Sequence, residues 1–271
     1  MSSKRGALGV IIIMLWVAGM AMMVRRNANR SEAQQLAEVA LRLQPATFYY
    51  IIERDGQQIG AASSSVDTSA SVLLSEEYFV GDYPAPGDRR LERTSVRWQT
   101  RLTRAFRLTA LRIEVARQTR PFSIHASVEE DSTLFIAGVR TKGRPQARYS
   151  FVPPLFTPSL APVAFMLGGP HEIGRKQTLS VFDPTTRSVI RPELTIRAES
   201  LFTVVDSAAL DQAGEWAPAH RDTVRAWRIE GAPQGLSAWV DAEGRVVEAK
   251  AGTLSANRTA FEIAFKNPKT K

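Results

Sequence analysis

From residue 46 onward, apolar and polar residues alternate with the period of two that is typical of half-buried β-strands. The segment 93–102 shows the alternation most clearly. On one face it carries Val96, Trp98 and Leu102, and on the other Arg93, Arg97 and Arg101. Between residues 106 and 115 the alternation slips by one position, which predicts a β-bulge. The pattern therefore predicts a mainly β domain over residues 46–271.

One segment, residues 153–170, interrupts the alternation with five prolines and an apolar patch that includes Leu155, Phe156 and Phe165. We expect a loop with one short helix around residues 161–167. The patch is either a plug that closes the core, which we favour, or an apolar lid or docking surface. Strands on both sides of the interruption suggest one long, curved antiparallel sheet, half-barrel-like, rather than two domains.

In the C-terminal part of the chain, the sequence predicts one loop and a final strand. Residues 206–220 are rich in small and polar residues and read as a loop. Residues 259–265 carry large apolar side chains at every second position from Phe261 to Phe265 and read as the last strand of the sheet.

The N-terminal segment has a different character, because residues 6–24 contain no charged residue. A helix of about 20 such residues spans a bilayer core of about 30 Å. We therefore predict a tail over residues 1–5, a transmembrane helix over 6–24 and a stalk helix over 25–45, ended by Pro45. Trp16, in the middle of the apolar run, is apolar filler or a contact with a neighbouring helix. The alternative is a signal peptide cleaved after Ala21, but the run continues past that residue to a double arginine.

Most of the net positive charge lies near the N-terminus. Of the formal net charge of +8, residues 1–30 carry +5, where basic residues flank the apolar run, and the rest of the chain carries +3. Basic residues beside a membrane segment meet anionic headgroups. The strongest remaining feature is an arginine-rich stretch over residues 89–120, which is either a solvated sheet face or a surface for lipid phosphates or an acidic protein. We do not expect a nucleic-acid partner.

No chemistry-bearing motif stands out. The chain contains no cysteine, which excludes disulfides and thiolate metal sites, and His125, His171 and His220 lack the spacing of metal ligands. There is no nucleophile elbow and no glycine-rich phosphate loop. We therefore expect no catalytic residues, no metal and no cofactor.

Three turn motifs occur in a characteristic order. Residues 53–60 form a hairpin ending in Ile-Gly, residues 171–184 contain a glycine followed by a strand ending in Phe-Asp-Pro, and residues 238–247 contain Trp-Val-Asp-x-x-Gly. Together they resemble a poorly characterised group of bacterial exported β proteins, similar in architecture to periplasmic lipoprotein carriers. The resemblance covers residues 48–265. It implies a curved antiparallel half-barrel with a helix across its mouth.

The resemblance also implies a location. Basic residues flanking the apolar run number two before it and three after it, which by itself slightly favours a cytoplasmic C-terminal domain. Long domains cross the membrane largely regardless of charge, so we expect a single-pass protein of the bacterial inner membrane with a periplasmic domain. A tethered domain departs from soluble carriers because it cannot shuttle.

Two functions are consistent with these features. The first is a non-catalytic accessory or scaffold subunit of a larger membrane complex, with other membrane subunits and lipid as partners. The second is an envelope lipid- or lipoprotein-binding module, which requires an apolar cavity. The residues expected to line that cavity are Trp98, Leu102, Phe106 and Phe165. The residues expected to contact a partner or lipid are Trp16, Arg93, Arg97, Arg101, Leu155, Phe156 and Phe165.

Overall fold

In the computed structural model of this chain, the described residues are 38, 41, 43–68, 72–84, 91–118, 121–130, 132–139, 147–183, 186–232 and 236–266. The predicted membrane helix over residues 6–24 and nearly all of the predicted stalk helix lie outside them. Among the described residues, no helix combines the length and the apolar character needed to cross a bilayer.

A large antiparallel sheet forms the body of the protein. In the described part of the chain it has fourteen strands, of which the first in sequence is β1 (Ala46–Arg54) and the last is β17 (Leu254–Thr259). The first and last long strands of the chain are neighbours, because β1 pairs with β17 through Tyr49 and Thr259. This pairing joins the two halves of the chain into one continuous sheet, as the sequence predicts.

The strands of the first half are β1 (Ala46–Arg54), β2 (Gln57–Thr68), β3 (Val72–Pro84), β4 (Leu91–Thr103), β5 (Leu108–Ala116), β6 (Phe122–Glu129), β7 (Thr133–Val139) and β8 (Ala147–Ser150). Those of the second half are β10 (Lys176–Thr178), β13 (Glu193–Leu210), β14 (Trp216–Ala232), β15 (Leu236–Val240), β16 (Val246–Ala251) and β17 (Leu254–Thr259). Across the sheet the strands follow the order β10-β13-β14-β15-β16-β17-β1-β2-β3-β4-β5-β6-β7-β8. A separate three-stranded sheet contains β9 (Leu155–Phe156), β11 (Ser180–Asp183) and β12 (Ser188–Ile190).

Strand β4 confirms the predicted alternation. Its arginines at positions 93, 97 and 101 are exposed, while Thr94, Thr100 and Leu102 on the opposite face are buried. The predicted bulge is also present. Arg101 pairs with Ala110 and Leu102 pairs with Leu108, so β5 contains one extra residue at this point. We call the face that carries Leu102 the inner face and the face that carries the arginines the outer face.

The helix α1 (Leu160–Leu167) covers part of the inner face, which confirms the short helix predicted near residues 161–167. Phe165 and Met166 are fully buried and pack in one cluster with residues from both halves of the sheet, among them Leu102 and Val240. The small sheet covers strands β5 to β7, where Leu155 and Phe182 are buried. Each fully buried large side chain contributes roughly 1.5–3 kcal/mol. The interrupting segment is therefore a plug and not an exposed lid.

Two predictions about the C-terminal part are wrong. Residues 206–220 are not a loop, because β13 and β14 continue through them to a cross-strand pair between Leu210 and Trp216. From Ala198 outward the two strands pair only with each other among the described residues, and we call residues 198–226 the arm. The last strand ends at Thr259, and the helix α2 (Phe261–Ala264) replaces the predicted strand.

Helix α2 packs on the outer face of the sheet. The Phe261 ring lies 5.1 Å from the Tyr49 ring, and Phe265 stacks on Tyr78 at 6.5 Å. The arm reaches the same region, because Lys266 pairs with Glu215 at its tip at 2.8 Å. This end of the outer face is therefore covered, whereas none of the described residues covers the portion over β4 to β7.

Candidate functional site

Two rows of outward-facing side chains cross the open part of the outer face. The first row consists of cross-strand partners Leu74, Arg101, Ala110, Ser127, Phe135 and Arg148. The second row consists of Glu76, Gln99, Arg112, His125 and Ala137. Directly opposed side chains in an antiparallel sheet have Cβ atoms about 5 Å apart, so each row forms a continuous strip.

These rows line a groove of about 590 Å³, which we call the outer groove. The groove exists because its centre carries small side chains, Ala110, Ser127 and Ala137, between larger ones on the flanking strands. Leu74 on β3 forms one flank and Phe135 on β7 the other. The volume falls within the range of about 300–1,000 Å³ that is usual for ligand sites.

Exposed ion pairs surround the outer groove. Arg97 pairs with Glu76 at 3.4 Å, and Gln99 Nε2 donates to Glu76 Oε2 at 2.7 Å. Arg112 pairs with Glu114 on its own strand. Pairs at this degree of exposure contribute about 0–1 kcal/mol each, so they reorganise at little cost when a partner arrives.

Arg101 differs from its neighbours, because its guanidinium has no ion pair with any described residue. It lies between Leu74, which is 39% exposed, and Ala110, with Ser127 and Phe135 further along the row. The outer groove therefore combines a basic group with an apolar strip.

Arg148 closes the far end of the first row. Its guanidinium pairs with Glu129 at 3.4 Å and lies 5.2 Å from the centre of the Phe135 ring. Arg93, at the other end of β4, pairs with Asp82 at 3.9 Å.

Of the residues predicted to contact a partner or lipid, the structure places some on the outer face and others in the core. Arg93, Arg97 and Arg101 lie exposed on the outer face, and Arg101 lines the groove. Leu155, Phe156 and Phe165 lie in the core, where they are at most 1% exposed and no partner reaches them without unfolding. Trp16 lies outside the described residues.

The four residues expected to line a lipid cavity are packed against other side chains. Leu102, Phe106 and Phe165 are at most 1% exposed and belong to the cluster around α1. Trp98 packs against a second cluster, which includes Leu155 and Phe182 of the small sheet. The Phe106 ring lies 6.0 Å from the Phe156 ring. None of the four lines the smaller cavity between α1 and the inner face.

A smaller cavity of about 200 Å³ lies between α1 and the inner face, and we call it the interior cavity. Its walls are mainly apolar, and Glu77 from β3 enters it. Burial raises the pKa of Glu77 to about 7. The hydroxyls of Ser64, Ser159 and Ser75 act in the opposite direction and lower this pKa. The Ser75 hydroxyl lies 3.2 Å from Glu77 Oε1.

Tyr50 on β1 also lines the interior cavity and is buried. Burial raises the pKa of its hydroxyl well above the usual range, and the Glu77 carboxylate adds to this effect. A carboxyl group with a strongly shifted pKa beside a cavity is a common feature of functional sites.

Sequence reasoning missed both cavities. A signal for Glu77 was present, since it occupies an inward position in the alternation Leu73, Ser75, Glu77. The outer groove depends on the register that places three small residues from different strands side by side. Among the described residues, no three His, Asp or Glu side chains lie close enough together to hold a metal ion.

Comparison with known proteins finds structures of similar fold but no matching family. No protein-family model matches the chain, and no curated protein matches it. A beta-barrel-like protein of the domain of unknown function DUF1849 from Brucella abortus matches 81% of this chain and 97% of its own, with a TM-score of 0.50 and 11% identity. A DUF1089 family protein from Pseudomonas aeruginosa matches 71% of this chain and 90% of its own, with a TM-score of 0.38 and 9% identity.

The chain is thus similar in fold to poorly characterised bacterial β proteins, which agrees with the coarser part of the resemblance seen in the sequence. At this level of identity the similarity concerns the fold alone.

Proposed function

We propose that this chain is a non-catalytic, membrane-anchored accessory subunit of a larger bacterial membrane complex. In this proposal the sheet forms a half-barrel-like shell around α1 on the periplasmic side of the inner membrane. The outer groove binds a segment of a neighbouring subunit, and the observation that carries the proposal is the geometry of that groove.

The chemistry of the outer groove defines the partner segment. Leu74 and Phe135 form apolar flanks, while Arg101 supplies a positive charge that no described carboxylate neutralises. A segment with apolar side chains and at least one carboxylate complements this surface. The small floor residues Ala110, Ser127 and Ala137 allow the partner's backbone to approach closely.

The apolar run of residues 6–24 supports the membrane part of the proposal. A helix of this length and composition holds the β domain beside the bilayer. A tethered domain meets neighbouring subunits at a high local concentration, so a groove of modest affinity is sufficient for binding.

An envelope lipid-binding function receives less support. The side chains expected to surround an acyl chain are packed within the core, and the interior cavity of about 200 Å³ is below the usual range of ligand sites of about 300–1,000 Å³. A lipoprotein partner would bind in the outer groove like any other protein, so crosslinking from Ala137 would detect it.

The test uses the full chain in its native membrane with a photo-crosslinking amino acid at Ala137, on the groove floor. We expect one specific crosslinked subunit after mild detergent extraction, whose crosslinked peptide contains a carboxylate. The same probe at Ala209, on the exposed arm, serves as the matched control. Crosslinks of equal yield at both positions, or recovery of only the free monomer, would contradict the proposal.

Charge reversal at Arg101 provides a second test. Arg101→Glu should reduce the crosslink yield from Ala137 by roughly tenfold, equal to about 1.4 kcal/mol. Arg221→Glu changes an exposed arginine on the arm by the same amount of charge and should leave the yield unchanged.

A further inference from the structure

The interior cavity has a feature that the proposed function does not use. It is bounded by the inner face of β1 to β3, by β16 and β17, and by the first turn of α1. Its apolar walls include Phe48, Ile52, Val66, Leu160 and Val163. Its polar lining groups are few, and mainly apolar walls with a few polar groups are the usual composition of a small-molecule site.

Glu77 is the anchor of this cavity. The Ser75 hydroxyl on β3 donates to its Oε1 at 3.2 Å, and the hydroxyls of Ser64 on β2 and Ser159 at the start of α1 also favour its ionised form. Hydroxyls from three separate elements therefore surround the carboxyl group. The carboxyl group is thus held at a defined point of an apolar chamber.

Arg245, which lines the cavity, and Arg258, which lies over the lining residue Phe48, each have a carboxylate partner. Arg258 on β17 pairs with Asp241 at 3.1 Å, and Arg245 pairs with Glu243 at 2.7 Å. The two arginines also lie 4.0 and 4.8 Å from the centre of the Phe48 ring. Glu77 forms no ion pair with any described residue, so its negative charge has no partner at the cavity when the carboxyl group is ionised.

A bound monovalent cation would balance this charge. The cavity volume of about 200 Å³ equals roughly seven water molecules at about 30 Å³ each. This space suits a short alkyl chain with one polar head. A hydrated metal ion does not complement walls that are mainly apolar.

We propose that the interior cavity binds a short primary alkylammonium ion. The ammonium group pairs with the Glu77 carboxylate, and the alkyl chain packs against Leu160 and Val163 of α1. This site is separate from the outer groove and does not depend on the proposed function. Because α1 forms one wall, binding also holds the plug helix against the sheet.

The test titrates the full chain, purified in mild detergent, with n-butylammonium chloride at pH 8. Methyl NMR signals of Leu160 and Val163 report occupation of the cavity. We expect saturable shifts of these signals. Butyrate, which has the opposite charge, and n-butanol, which is neutral, should produce shifts at least tenfold weaker at equal concentration.

Two variants separate the contributions of charge and space. Glu77→Gln keeps the shape of the side chain and should weaken butylammonium binding at least tenfold, while Glu76→Gln, on the outer face of the same strand, should leave it unchanged. Ala256→Leu fills the cavity wall and should also abolish the shifts. Absent shifts in the natural chain, equal binding of butanol, or unchanged binding by Glu77→Gln would each overturn the proposal.

Discussion

Gly244, in the turn between β15 and β16, lies directly against the backbone of Pro162 in helix α1. A Cβ atom at Gly244 would stand 2.6 Å from the Pro162 carbonyl carbon and would overlap the Val163 Cα atom. The turn itself is held by Asp241, whose Oδ1 accepts hydrogen bonds from the backbone of Glu243 and Arg245, each at 3.0 Å. The Trp-Val-Asp-x-x-Gly motif thus supplies the surface on which the plug helix rests.

Replacement of this glycine should therefore destabilise the protein. Gly244→Ala places a methyl group where the helix backbone lies, at a φ of +79° that costs about 1–2 kcal/mol for a residue with a Cβ. We expect a total loss of about 3 kcal/mol or more in the free energy of unfolding, measured by urea titration. Gly252 is the matched control, because its φ is +61° and nothing lies within 4 Å of an added Cβ. Equal losses at both positions would show that the contact with α1 contributes nothing.

Arg175 stabilises the opposite end of the plug. Its guanidinium carbon lies 4.5 Å from the centre of the Phe165 ring, and Nη1 donates to the Pro170 carbonyl at 3.2 Å. A cation at this position also interacts favourably with the C-terminal end of α1. Arg175→Ala should reduce the free energy of unfolding by about 1–2 kcal/mol. Lys176→Ala, which breaks only an exposed pair with Glu193, should change it by at most about 0.5 kcal/mol. A loss of the same size for both variants would contradict the role given to Arg175.

Glu77 should make stability depend on pH. Burial raises the pKa of Glu77 to about 7, whereas its value in the unfolded chain is near 4.5. For an acid with a raised pKa in the folded state, the stabilising contribution is fully present below pH 4.5 and is lost as the pH rises through 7. The free energy of unfolding should therefore fall by about 2 kcal/mol between pH 5.5 and 8 because of this group.

Glu77→Gln isolates this contribution. The amide keeps the hydrogen-bonding shape but does not ionise, so the pH profile of its free energy of unfolding should be flatter by about 2 kcal/mol over the same interval. Glu76→Gln, on the outer face of the same strand, should keep the natural profile. Parallel profiles for the natural chain and Glu77→Gln would refute the assignment.

The sequence predicted the structure correctly where buried and exposed side chains alternate along a strand. The alternation around Arg97 placed the correct residues on each face, and the slip after Leu108 located the bulge. Both signals are local, so they do not depend on which strands become neighbours.

The errors arose where the decisive contact is distant in sequence. The arm lacks apolar alternation because most of its residues face solvent on both sides, so its strands looked like a loop. Residues 261–265 alternate like a strand, but Phe261 and Phe265 pack on Tyr49, and this contact favours a helical turn. The outer groove requires Ala110, Ser127 and Ala137 to meet on neighbouring strands, which only the register decides.

Filling the outer groove should remove partner binding without loss of the fold. Ser127 stands between Ala110 and Phe135 on the groove floor, and its side chain points away from the core. Ser127→Trp fills the centre of the groove, so we expect the crosslink from Ala137 to be lost while the free energy of unfolding changes by about 0.5 kcal/mol or less. Thr203→Trp adds the same side chain at an exposed position of the arm and should keep the crosslink. If the crosslink persists in Ser127→Trp, the partner binds elsewhere on the β domain, because a tryptophan there leaves no room for a bound segment.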